Sequence, residues 1–228
     1  MSNMPLTPVK AIRVWDLPTR IFHWVLAVTL VGSVVSAKIG GNAMEWHFRF
    51  GFLVLGLLIF RLVWGLIGGR HSRFASFIYS PLTILRYLRG RIRPGEQLDV
   101  GHNPLGSLSV FALLAFLALQ IATGLVADDE ISSVGPLNKL VTSAQAALAT
   151  GWHKNWGQWI LLLLVLTHIG AILFYLFVKK HNLVRPMLHG DKTLPAHTPA
   201  SADHAGTRWL ALVVALASGA IVAVVMRL

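Results

Sequence analysis

Ten histidines and no cysteine set the terms for any chemistry of this 228-residue chain. Without thiols there are no disulfides, thiolate zinc sites, iron–sulfur clusters or C-x-x-C-H attachments, so a metal would rest on imidazole, thioether or carboxylate. Five histidines, His71, His181, His189, His197 and His204, fall in polar stretches where a solvated ring is ordinary. His23, His47, His153 and His168 lie in or beside long apolar runs, where an ionisable group is expensive and signals function. Imidazoles in that setting can ligate a metal, relay protons or hydrogen-bond a neighbouring helix. His102 opens a further apolar run in the sequence Gly-His-Asn-Pro-Leu-Gly.

The elements that must position these rings are membrane spans. Hydrophobic residues make up 55% of the chain and charged ones only 13%, too apolar for a soluble domain. The net charge of +11 is therefore a matter of sidedness and not of nucleic-acid binding. Five stretches are long enough to cross about 30 Å of hydrocarbon as helices: Ile21–Ala37, Phe50–Ile67, Leu105–Ala127, Gly157–Val178 and Trp209–Met226. None shows the dyad alternation of an outer-membrane barrel. The expected fold is an all-α integral membrane protein, a four-helix transmembrane bundle with a fifth, C-terminal transmembrane helix. It divides into an N-terminal segment (1–20), the four-helix unit (21–186), a flexible linker (187–208) rich in Pro, Ala, Thr and His, and the last span (209–228).

Basic residues sort the loops. Lys10, Arg13 and Arg20 precede span one; Arg70, Arg73, Arg86, Arg89, Arg91 and Arg93 join spans two and three; Lys179, Lys180, Arg185, Lys192 and Arg208 follow span four. The opposite loops hold Lys38, Lys139 and Lys154 against Glu45, Asp128, Asp129 and Glu130. By the positive-inside rule the N-terminus lies in the cytoplasm and the C-terminus outside, and span one stays in place as a packed helix. Phe74–Leu88 has the pattern of an interfacial helix, and Asp128–Trp152 offers the largest outer surface for a partner.

Depth pairs the histidines. His23 enters from the cytoplasmic side and His153 from the outside; His168 lies fifteen residues beyond His153, about 22 Å deeper, at the level of His23. His47 opens span two from outside, matching His153. On a helix His153 and His168 stand about 60° apart, roughly one face. Two stacked pairs of imidazoles suit two bis-His haems; two imidazoles alone leave zinc or copper incompletely coordinated. A proton or ion pathway and simple packing remain open at this point. Gly51 and Gly157 each follow a histidine by four residues, where a flat macrocycle could lie against backbone. Arg61, about 21 Å below His47, either meets a haem propionate or snorkels to the headgroups.

Taken together, Val-Trp-Asp-Leu-Pro-Thr-Arg-Ile-Phe-His-Trp (14–24), Trp46-His47 with Gly51, Arg61-Leu-Val-Trp-Gly65, Gly101-His-Asn-Pro-Leu-Gly106, Trp152-His153 and His168 resemble the bacterial di-haem cytochrome b family. This is the cytochrome b561 type, which includes the b subunits of nickel–iron hydrogenases. The likeness spans about Val14 to Pro186 and is specific only in combination. It implies two b-type haems in the bacterial inner membrane, held by His23 with His168 and by His47 with His153. It also implies electron transfer in a respiratory chain between the quinone pool and a hydrogenase, another dehydrogenase or a c-type cytochrome. A quinone would sit near the cytoplasmic haem, with His102 and Asn103 as candidates; the same Asn-Pro also suits a capped helix start. The rival activity is a stand-alone quinol oxidoreductase that reduces superoxide or a metal ion, distinguished by independence from a partner. A homodimer is compatible with either. The fifth span departs from the shorter members of the family.

Overall fold

The computed structural model describes residues 8–93, 96–131 and 133–228; the first seven residues of the expected N-terminal segment lie outside them. In chain order it comprises β1 (Val9–Arg13), α1 (Leu17–Ile39), α2 (Met44–Ile67), α3 (Pro81–Leu88), α4 (Pro104–Val126), α5 (Ser143–Gly151), a π-helical turn (Trp152–Gly157), α6 (Gln158–Phe177), α7 (Val184–His189), β2 (Asp191–Pro195) and α8 (Ala205–Val225). Five helical runs are long and apolar enough to cross a membrane: Leu17–Ile39, Gly41–Ile67, Pro104–Val126, Ser143–Phe177 and Ala205–Val225.

Each run begins earlier than hydropathy suggests, because polar caps and the histidine-bearing turns belong to the helices. Asp16 caps α1, Asn103 caps α4 and His204 caps α8, each through a side chain that accepts from a backbone N–H three residues on. Pro18 and Pro104 sit in first turns, where a missing N–H goes unnoticed. Gly40 and Gly41, at φ +69° and +52°, turn α1 into α2, a backbone that a side chain would strain.

Helix α1 packs along α2, α4 packs on α2 and α6, and α8 lies against α2. Ala211 and Val214 of α8 join Phe22, Phe60 and Trp64 in one buried cluster; Val54, Leu58, Leu117 and Leu161 form a second between α2, α4 and α6. In lipid such contacts stabilise through shape and dispersion, since hydrocarbon outside is as apolar as the side chains within.

The basic end of the bundle follows different physics, because it meets water. There β1 and β2 pair antiparallel, with Val9 opposite Pro195 and Arg13 opposite Asp191. This corrects the expectation of an all-α chain with a flexible 187–208 linker: residues 191–195 are a strand, and Thr198 and Ser201 are buried. The pairing joins segments about 180 residues apart, so neither strand advertises its partner locally. Gly190, left-handed at φ +94°, turns its carbonyl to accept from Val14 and Trp15 N–H at 2.8 and 3.0 Å. Asp203 takes the Leu17 N–H at 3.2 Å, Arg208 Nε at 3.2 Å and Arg13. Bonds to Asp191 and Asp203, opposed by burial, hold the Arg13 guanidinium above its ordinary pKa.

Asp16 ties this end together. Fully buried, it accepts from Thr19 N–H (2.8 Å), Trp64 Nε1 (3.1 Å) and the Ser72 hydroxyl (2.5 Å), joining the start of α1 to the end of α2 and the turn beyond it. Losing the acceptor strands buried donors at about 1–3 kcal/mol each. Asp16→Ala should therefore lower the stability of the detergent-solubilised protein by about 2–4 kcal/mol, and Asp16→Asn, which keeps one carbonyl oxygen, by less; thermal unfolding of the two variants side by side checks the order.

Candidate functional site

The four membrane histidines meet in the two pairs that their depths suggest. The rings of His23 on α1 and His168 on α6 have centroids 6.4 Å apart at 54°. Those of His47 on α2 and His153 in the π turn stand 5.9 Å apart at 79°. Among the described residues no group of three or more His, Asp or Glu side chains gathers as a closed metal site, so each pair offers two nitrogens only.

Neighbouring helices aim the rings. His47 Nδ1 donates to the Ser33 carbonyl of α1 at 2.9 Å, with the Ser33 hydroxyl at 3.1 Å. His153 Nδ1 donates to the Gln120 carbonyl of α4 at 2.8 Å. A carbonyl can only accept, so both rings carry hydrogen on Nδ1, which leaves Nε2 out of these bonds, the usual orientation of a metal-ligating imidazole. Gly124, one turn after Gln120, clears space for the second ring: a Cβ there would lie 2.8 Å from His153 Cε1. At the basic end His23 Nδ1 is buried without a hydrogen-bond partner.

The model of the prokaryotic cytochrome b561 family matches residues 14–190, more than half of the chain. The chain belongs to this family. Curated relatives named "Probable Ni/Fe-hydrogenase B-type cytochrome subunit" include one from Bradyrhizobium diazoefficiens, 23% identical over 212 residues, covering 78% of this chain and 85% of the relative. Another, from Cupriavidus necator, is 25% identical over 218 residues, covering 81% and 88%. A third, from Escherichia coli K12, is 24% identical over 216 residues, covering 79% and 90%. No solved structure matches the chain. The protein is thus a multi-pass bacterial membrane b-type cytochrome that transfers electrons.

The cytochrome's histidines fit the b-type haem of its family. Iron held by two imidazole nitrogens at about 2 Å each, plus about 1 Å from nitrogen to ring centre on either side, separates the centroids by about 6 Å. Both pairs match that span. A Cβ at Gly51, one turn from His47, would meet nothing within 4 Å, leaving backbone accessible to a flat group. At Gly157 the crowding is of another origin: an added Cβ would run into Gln120 Oε1 and sit 2.7 Å from Trp152 Nε1.

The remaining candidates lie at the basic end of the bundle, and His102 feels the charges of Arg61, His168 and His23. Arg61 is only 3% exposed, stacks over Phe74 with its guanidinium 4.6 Å from the ring centre, and has a buried Nη1 without a partner. It does not snorkel; its charge is balanced in part by attraction to Asp16. His102 lies between Trp15 (4.7 Å) and Phe77 (4.8 Å). Burial first, then the charges of Arg61, Lys192, His168 and His23, push its pKa down to about 3, so its ring is neutral at physiological pH. Asn103 caps α4 through Oδ1 to Gly106 N–H (2.7 Å) and donates from Nδ2 to the Tyr175 hydroxyl (2.8 Å), which in turn meets Tyr87 at 2.9 Å.

Sequence reasoning passed over Asp16, Ser33, Gln120 and Gly124. Gln120 carries a usable signal, the lone amide of a 23-residue helix whose other polar side chains are small hydroxyls, because a primary amide is costly to bury without partners. Asp16, before Leu-Pro-Thr, is a readable helix start. Ser33 and Gly124 carry no local signal, since each matters only through a ring on another helix. Gly124→Val should lower the haem bound per purified chain in a pyridine haemochrome assay, whereas Gly219→Ala, where an added Cβ meets nothing, should leave it unchanged.

Proposed function

We propose that this cytochrome binds two b-type haems, one towards each end of the bundle, and carries electrons across the bacterial inner membrane between the quinone pool and a nickel–iron hydrogenase. The observation that carries this reading is the pair of imidazole separations, 6.4 and 5.9 Å, at two levels of one bundle. His23 and His168 would hold the inner haem, and His47 and His153 the outer one. The basic end, with Arg13, Arg20, Arg70, Arg73 and Arg86, faces the cytoplasm, so N-terminus in and C-terminus out follow. Bound haem supplies the one-electron chemistry, and the protein supplies orientation, a water-poor slot and second-shell bonds.

Arg61 serves the inner site as a buried cation whose free Nη1 suits a propionate. His102 is the better candidate for contact with quinone: its neutral ring is walled by aromatic faces beside the His23–His168 pair, whereas Asn103 has engaged both ends of its amide in the cap and Tyr175. Hydrogenase as partner is supported by the names of the relatives and by a suitable outer surface. Asp128 and Glu130 precede α5 there, and Leu148 and Trp156 are 76% and 69% exposed. Residues 21–186 form the haem-binding unit, on which α8 rests.

The purified parent should hold two haems per chain. His168→Ala and His153→Ala should each insert in the membrane, each retain one in dithionite-reduced spectra, and each abolish hydrogen-driven quinone reduction in membranes containing the hydrogenase. One haem in the parent, or two in either variant, overturns the assignment. Reduction of superoxide or a metal ion by the purified chain alone, at rates independent of hydrogenase, would favour the stand-alone quinol oxidoreductase.

A further inference from the structure

Gln120 is a primary amide 8% exposed in the middle of an apolar helix, a position where an unbonded polar group is costly. Outside its own helix, where the Thr123 hydroxyl also donates to its carbonyl at 3.0 Å, its bonds go to His153. The backbone carbonyl accepts from His153 Nδ1 at 2.8 Å, and the side-chain Nε2 donates to the His153 carbonyl at 2.9 Å. One glutamine thus grips His153 by its ring and by its main chain. The grip falls on the six-residue π turn Trp152–Gly157, a wider coil than the α-helices that flank it. Gly157, at the end of that turn, explains how the amide gets so close. Any Cβ there would run into Gln120 Oε1 and sit 2.7 Å from Trp152 Nε1. Both Oε1 and Trp152 Nε1 are buried and without hydrogen-bond partners.

We infer that Gln120, with Gly157 as the clearance it needs, is the positioning device of the outer site. The side-chain amide holds the π turn in the register that brings the His153 ring to 5.9 Å from the His47 ring, and thereby sets the orientation and donor strength of that ligand. Gly157 accordingly answers to Gln120 rather than to the macrocycle. The inference rests on the reading of His153 as a haem ligand. It assigns Gln120 an influence on one haem only, because the inner pair His23 and His168 lies at another level, fifteen residues or about 22 Å along the bundle from His153.

Gln120→Leu keeps the backbone carbonyl, and with it the ring bond, but deletes the amide. In the intact membrane-extracted protein both haems should be retained. The low-spin ferric EPR signal and midpoint potential of the outer haem should shift, and those of the inner haem should stay at parent values. Gln120→Glu, read below the carboxyl pKa so that it can donate, should restore the parent signal in part. Gly157→Ala should shift the same haem in the same direction, and the double variant should move it no further than Gln120→Leu does, since both changes break one device. Unchanged spectra in Gln120→Leu, equal shifts in both haems, or additive effects in the double variant overturn the proposal. His153→Ala, run alongside, separates the two levels: retention of both haems there sinks the ligand assignment and this inference with it, whereas loss of one haem combined with a silent Gln120→Leu sinks this inference alone.

Discussion

Two imidazoles on different helices have to face each other across about 6 Å, and most of what is unusual in this bundle serves that distance. Helices in direct contact bring their side chains closer than that; helices further apart lose the contact altogether. The chain resolves this by letting α1 and α6 face one another across the ring pair while each packs on a different neighbour, α1 on α2 and α6 on α4. The second pair is reached differently: α6 is extended upwards by a π turn that carries His153 towards His47.

The two ends of the bundle hold their pairs by different means. At the outer end the rings donate to main-chain carbonyls of α1 and α4, so their orientation is tied to helix backbones, the least mobile groups available. At the basic end the helices are gathered by Asp16, which bonds α1, α2 and the following turn through a single carboxylate. Around it β1, β2 and Asp203 draw the start of α1 and the approach to α8 into one water-facing clasp. Polar bonding of this kind is informative where lipid gives no hydrophobic drive for one helix to choose another.

How much of this was legible beforehand follows from what each feature depends on. Spans, charge sidedness and the depth of His23, His47, His153 and His168 are arithmetic on a single helix, and the depth pairing emerged from that alone. The 60° relation of His153 to His168 assumed one uninterrupted α-helix; the π turn breaks that assumption, and the pairing rested on depth rather than angle. Gly157 was legible as a required small residue but not as the neighbour of Gln120, because the reason stands on α4. The β1–β2 sheet escaped for the same cause at larger scale: Val9–Arg13 and Asp191–Pro195 are unremarkable pentapeptides until the fold sets them side by side.

The clasp also bears on why the chain continues past its fourth span. Asp203 accepts from the Leu17 N–H, in the first turn of α1, and from Arg208, in the first turn of α8, so the two helix starts are linked through one carboxylate. Below that link, Ala211 and Val214 complete the cluster with Phe22, Phe60 and Trp64, and Phe22 is the residue next to His23. Trp64 in turn donates to Asp16. A continuous set of packed and bonded groups therefore runs from α8 to the helix that carries the inner histidine, and Arg61 lies three residues before Trp64 on the same stretch of α2. The fifth helix has no histidine of its own, yet it backs the wall on which His23 and Arg61 are mounted, so its contribution is to keep two ionisable residues in fixed places inside a solvent that would tolerate neither alone.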